Sequence, residues 1–115
     1  MSKEFLNGKN ALIVNLCGEI DQYATAQLKE KIDIELECSS KPNLIFDLSE
    51  VTLMDSSGIG LIVGRYKSAQ ALGGTLLLCG ATPSVRRMIE LSGIGKVIKS
   101  YESIANAEKA LEKSE

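Results

Sequence analysis

Apolar and polar positions alternate along the chain in blocks that change period from two to about 3.6 and back, the signature of strands interleaved with helices. Glu4-Phe5-Leu6 and Ala11-Leu12-Ile13-Val14 flank Asn7-Gly8, a dipeptide suited to a tight turn between two strands. The second strand is expected to run to about Cys17, where Gly18 breaks it. Asp21 then stands at an N-cap position, and Ala24, Leu28, Ile32 and Leu36 fall on one helical face that ends at Ser39-Ser40-Lys41-Pro42. Leu44–Leu48 is a short apolar run fit for a buried strand. A second helix is expected from Asp55-Ser56-Ser57-Gly58 to Gly73-Gly74, with Ile59, Ile62, Val63, Tyr66 and Ala69 as its apolar contacts. Thr75–Cys79 reads as another buried strand. Thr82-Pro83 opens a third helix with Val85, Met88 and Ile89 inward and Gly93 as its stop. Lys96–Lys99 reads as a short edge strand guarded by its lysines, and Ile104, Ala107 and Leu111 define a last helix.

This alternation predicts an α/β fold, a mixed, mostly parallel sheet of about five strands with about four helices and an antiparallel edge from the first hairpin. No linker or repeat interrupts it, so residues 1–115 are read as one domain. In such a sheet the carboxyl ends of the parallel strands share one rim. Asp21, the Asp55–Gly58 turn and Gly80–Thr82 all follow strands and are expected along it.

Composition narrows the chemistry. The chain has no histidine, which excludes a Ser-His-Asp triad, a Cys-His pair and any His-ligated metal. A net charge of −2 and 4% aromatics without Trp give no footprint for direct nucleic-acid binding. Cys17, Cys38 and Cys79 are widely spaced, with no Cys-x-x-Cys, and are expected as reduced core thiols of a cytoplasmic protein. No apolar run is long enough for a signal core or a membrane span, so neither export by that route nor membrane insertion is expected.

The densest signal is Met54-Asp55-Ser56-Ser57-Gly58-Ile59-Gly60. A serine at a helix start suits phosphorylation, because orphan N–H groups and the positive dipole end receive phosphate oxygens. Gly58 and Gly60 each cost about 1 kcal/mol inside a helix relative to alanine, which points to close backbone approach by a partner or by the sheet beneath. The plainer alternative is a helix cap, from Ser56 or Ser57, with glycines that merely permit packing. Ile59 is read either as a partner contact or as core, and Arg65 and Lys67 as solvated charges or partner contacts. Gly64 comes too late for a dinucleotide fingerprint, and Gly64-Arg65 lacks the Lys-Ser/Thr of a P-loop. Gly93-Ile94-Gly95-Lys96 lacks both the earlier glycine and the following hydroxyl of a phosphate loop. Met54 stands where a nucleophile elbow needs glycine.

Gly18-Glu19-Ile20-Asp21, Met54–Gly60, Gly64-Arg65-Tyr66-Lys67, Ser92-Gly93 and Lys96-Val97-Ile98 together resemble the anti-sigma factor antagonists of the STAS domain family, over nearly the whole chain. The Asp-Ser-Ser-Gly turn followed by Gly-Arg-Tyr-Lys is most similar to the sporulation (sigma F) branch; general-stress relatives usually carry Thr at the position of Ser57. The resemblance implies a single STAS-type domain that is not an enzyme and uses neither cofactor nor metal. It implies that Ser56 is phosphorylated by an anti-sigma factor serine kinase, that the unphosphorylated form binds that kinase and frees its sigma factor, and that a PPM-type serine phosphatase resets the site. Asp21, Asp55, Ser56, Ser57, Gly58 and Ile59 are the implied partner-binding residues. The family often has histidines after the aspartate, where this chain has Gln22-Tyr23-Ala24. Alternatives are a general-stress antagonist or another STAS partner-binding subunit and, from another class, a small nucleotide-binding or hydrolytic domain built on the Ser56 turn.

Overall fold

The computed structural model describes residues 2–113. Five strands, β1 (Ser2–Asn7), β2 (Leu12–Ile20), β3 (Leu44–Met54), β4 (Leu76–Cys79) and β5 (Ser100–Tyr101), form one sheet in the order β1-β2-β3-β4-β5. β1 pairs antiparallel with β2, and the other pairings are parallel. Four helices, α1 (Gln22–Cys38), α2 (Ser56–Ala71), α3 (Pro83–Ser92) and α4 (Ile104–Lys113), follow the four parallel strands in turn.

The pleat decides which residues meet which helix, because successive side chains point to opposite faces. Leu12, Val14 and Leu16 of β2 join Leu44, Phe46 and Leu48 of β3 and Leu76 and Leu78 of β4 in the main core, under α1, α2 and α3. The alternate residues Ile13, Ile45, Leu77 and Cys79 pack on the other face against Ala107 and Leu111 of α4. Asp47 continues that second face, accepting a hydrogen bond from Asn15 Nδ2 at 2.9 Å. The α1 stripe is buried as its period requires, at Ala24, Leu28, Ile32 and Leu36.

Four expectations are corrected. β2 does not end at Cys17: Gly18, at φ +81°, lets the strand bulge and continue to Ile20, still paired with β3. β3 likewise runs well past Leu48 to Met54. Lys96–Lys99 is no strand. A 3₁₀ turn at Ile94–Lys96 uses the Lys96, Val97 and Ile98 N–H groups on local carbonyls, so pairing with β4 begins only at the Lys99 carbonyl. The cysteines are not uniformly core: Cys79 is buried, with burial and then Asp47 raising its thiol to about 12, whereas Cys17 is half-buried and Cys38 exposed.

Candidate functional site

Ile20 of β2 and Met54 of β3 are register partners, and the Asp55 N–H donates to the Ile20 carbonyl at 3.4 Å. The residues that follow, Asp21 and Asp55, therefore leave the sheet on neighbouring strands, whose spacing is about 4.8 Å. Each caps a helix. Asp21 Oδ1 accepts from the Ala24 N–H at 2.9 Å, and Asp55 Oδ1 from the Ser57 N–H at 2.8 Å. Thr82 Oγ1 does the same for Val85 at 3.4 Å, so three helix N-termini share the rim as the strand order requires.

At the α2 start the two serines are not equivalent. The Ser57 hydroxyl donates to Asp55 Oδ1. The Ser56 hydroxyl makes no hydrogen bond among the described residues, and Ser56 is exposed at the first helical position. Asp55, not either serine, is the cap. The Ser57 hydroxyl and then the neighbouring backbone N–H groups hold the Asp55 carboxyl below its ordinary range. Its folded value lies beneath its unfolded one, so this contribution to stability is complete above the ordinary carboxylate range and is lost as pH falls through the depressed value. Asp55→Ala is expected to lower the melting temperature at pH 7, with the gap to wild type narrowing as pH falls below the ordinary aspartate value of about 3.9 and through the depressed one. Thermal scans from pH 2 to 7 check this, and a gap that stays constant with pH counts against the cap.

Gly58 is buried, and a Cβ there would overlap Met54 Cγ and meet Ile20 Cγ2 at 3.3 Å. It faces the sheet, one of the two approaches its presence pointed to, and brings α2 down onto the strand ends that carry Asp21 and Asp55. Ile59 is half-buried and packs against the main core. Gly60 and Gly64 differ from Gly58: a Cβ at either meets nothing within 4 Å.

The remaining surface of the rim is acidic with apolar edges. Glu19, Asp21 and Asp55 are exposed, alongside Tyr23 at 76% and Leu53 at 54% exposure. Tyr23 entered the sequence reading only within the departure Gln22-Tyr23-Ala24, and Leu53 was not singled out. Tyr23 lies out of phase with the buried stripe of α1, a signal that was available. Arg65, read as a solvated or partner-facing charge, is only 6% exposed, its Nε 3.0 Å from Asp33 Oδ1 of α1. The described residues hold no cluster of potential metal ligands and no helix long and apolar enough to cross a membrane.

Against known proteins, the STAS domain matches residues 4–107. The chain is 32% identical over 109 residues to an anti-sigma F factor antagonist of Paenibacillus polymyxa, covering 95% of this chain and 93% of that one. It is 33% identical over 90 residues to an anti-sigma-B factor antagonist of Bacillus subtilis, covering 78% and 81%. Among solved structures, the anti-sigma factor antagonist SpoIIAA in its unphosphorylated form superimposes with a TM-score of 0.82 at 25% identity, with 97% of each chain covered. The strand order, the capped rim and these similarities agree: the chain belongs to the STAS domain family, among the anti-sigma factor antagonists.

Proposed function

We propose that this protein is a phosphorylation-controlled binding switch: its unphosphorylated form binds an anti-sigma factor kinase and frees the sigma factor, and phosphorylation of Ser56 by that kinase ends the binding. The observation that carries the reading is the free Ser56 hydroxyl. It is exposed at a helix N-terminus, while the adjacent Ser57 hydroxyl is committed to Asp55. A hydroxyl without a competing bond is open to phosphoryl transfer, and the helix end tolerates the resulting charge without refolding.

On this reading Asp21, Asp55, Ser56 and Ser57 form the partner-facing rim, Ile59 contributes at its edge, and Gly58 sets the height of α2 beneath it. The protein is a cytoplasmic regulator of one STAS domain and not an enzyme, and a PPM-type serine phosphatase restores it. The sigma F pathway is favoured, because the similarity to the sigma F antagonist spans 109 residues and that to the Bacillus subtilis sigma-B antagonist 90.

The test is intact and peptide-level mass spectrometry after incubation with the host's candidate anti-sigma factor kinases and ATP. Wild type and Ser57→Ala are expected to gain one phosphate and Ser56→Ala none. No phosphate on wild type with any of these kinases overturns the switch.

A further inference from the structure

The start of α2 presents a kinase with adjacent hydroxyls of the same chemistry, Ser56 and Ser57, on one helical turn. The positive helix end favours a phosphate on either, so neither residue type nor helix position makes one of them the acceptor. Exposure separates them only in degree, Ser56 being exposed and Ser57 half-buried. The difference in kind is Asp55. Its Oδ1 accepts from the Ser57 N–H at 2.8 Å and also from the Ser57 hydroxyl, whereas the Ser56 hydroxyl has no partner among the described residues.

Phosphoryl transfer to a serine forms a bond from Oγ to the γ-phosphorus of ATP and breaks the bond from that phosphorus to the β,γ-bridging oxygen. ADP leaves, and the hydroxyl proton passes to a base of the kinase. At Ser57 that proton is the one donated to Asp55. Transfer there removes a charge-assisted hydrogen bond and sets a phosphate of about −1.5 to −2 charges against the carboxylate that accepted it. The carboxylate cannot swing away without leaving the Ser57 N–H uncapped. Nor is it an effective base for Ser57. That hydroxyl, and then the neighbouring N–H groups, hold it below its ordinary range, so it takes up a proton poorly. Transfer to Ser56 breaks none of these bonds.

We infer that Asp55 is a positioning residue that fixes which serine is phosphorylated: by holding the Ser57 hydroxyl it closes that residue to phosphoryl transfer and directs the phosphate to Ser56. The inference rests on the switch proposed above and extends it, because Ser57 becomes a latent second acceptor, unmasked when the Asp55 carboxylate is lost. It also gives Asp55 separable tasks, capping α2 and selecting the serine. Asparagine caps a helix about as well as aspartate but brings no charge.

The test uses the full chain, ATP and the anti-sigma factor kinase that phosphorylates the wild-type protein, and phosphopeptide mass spectrometry reads the ratio of Ser57 to Ser56 phosphate. Asp55 also belongs to the partner-facing rim, so the total rate is free to fall and the ratio is the measure. Asp55→Asn is expected to raise the ratio about tenfold or more, the contribution of one charge-assisted hydrogen bond, and to lower the melting temperature less than Asp55→Ala does. Asp55→Ala, which removes the acceptor altogether, is expected to raise the ratio further. In a Ser56→Ala background, Asp55→Asn is expected to gain one phosphate, on Ser57, where Ser56→Ala alone gains none. An unchanged ratio in both Asp55 variants overturns the inference and leaves the switch standing, as does phosphate on Ser57 of Ser56→Ala with Asp55 intact. Loss of all phosphate from both Asp55 variants, with wild type still phosphorylated, also overturns it and assigns Asp55 to kinase recognition. Absence of phosphate on wild type overturns the switch itself and the selection with it.

Discussion

Phosphorylated at Ser56, the protein is expected to bind its anti-sigma factor at least about 100-fold more weakly than the unphosphorylated form, while its melting temperature changes little. The two halves of this expectation have different causes. Phosphoserine adds about −1.5 to −2 charges at neutral pH, next to an Asp55 carboxyl that is firmly ionised and near the exposed Asp21 and Glu19. A partner surface complementary to a neutral hydroxyl and to those carboxylates then encloses an uncompensated dianion. That costs several kcal/mol, and each 1.4 kcal/mol or so is a factor of about ten in affinity. The free protein escapes this cost because Ser56 is solvent-exposed at the positive end of α2, where a phosphate is electrostatically welcome. Titration of both forms by calorimetry, with a thermal scan of each, checks the pair of outcomes. Equal affinities would dismiss charge as the release mechanism, and a large loss of melting temperature would replace it with unfolding of the rim.

Phe46→Ala is expected to be the most damaging single truncation, costing about 3–5 kcal/mol out of a total that for such domains is about 5–15 kcal/mol. Phe46 is fully buried near the start of β3, the central strand, paired with Val14 on one side and Leu78 on the other, on the face covered by three helices. Side chains from both neighbouring strands and from the helices would have to collapse to fill the space, and a central strand gives them little freedom to do so. Equilibrium unfolding in urea is the measurement: the midpoint should fall sharply with little change in slope. Leu53→Ala, at the exposed end of the same strand, is the control and should stay within about 0.5 kcal/mol of wild type. A loss at Phe46 no larger than that at Leu53 would mean that the core does not sit where the register places it.

The fold was legible where hydrophobic side chains themselves mark the buried positions. The α1 stripe, the caps at Asp21 and Thr82 and the first hairpin all follow from residue type and spacing. α2 was placed correctly along the chain but its buried face was only partly read. The face that meets the sheet consists of Gly58, Leu61, Ile62, Arg65 and Ala69. A glycine has no side chain to register as apolar, and an arginine registers as its opposite. With two of five marker positions blank or inverted, the period was drawn through Ile59, Ile62, Val63, Tyr66 and Ala69, of which Ile62 and Ala69 are buried and the other three half-buried. Arg65 carries a charge inward only because Asp33 of the neighbouring helix waits for it, a fact that spacing within one helix does not contain. The edge near Lys96 failed for a related reason. Alternation of lysines with Val97 and Ile98 fits a strand, but Gly93, at φ +80°, starts a tight turn that buries Ile98 by another route.

At the candidate site the position of the turn was legible, and the division of labour between its serines was not. Either hydroxyl satisfies the spacing of a cap. What separates them is that Asp55 takes the capping position and draws the Ser57 hydroxyl to itself, leaving Ser56 unused. The glycines are similar in sequence and opposite in role: Gly58 admits the sheet, and Gly60 and Gly64 face outward.

The strand order, which follows the chain from one edge of the sheet to the other, has a kinetic meaning. Each parallel pairing closes a loop containing a single helix, and no strand waits for a distant partner to arrive. Loop-closure entropy is therefore met in small successive steps, the condition under which mixed α/β chains fold quickly. The caps at Asp21 and Asp55 and the free hydroxyl at Ser56 all belong to the unbroken run β2-α1-β3-α2. A nascent chain thus has Asp21, Asp55, Ser56 and Ser57 all in hand once α2 has been synthesised, before β4, α3, β5 or α4 exists.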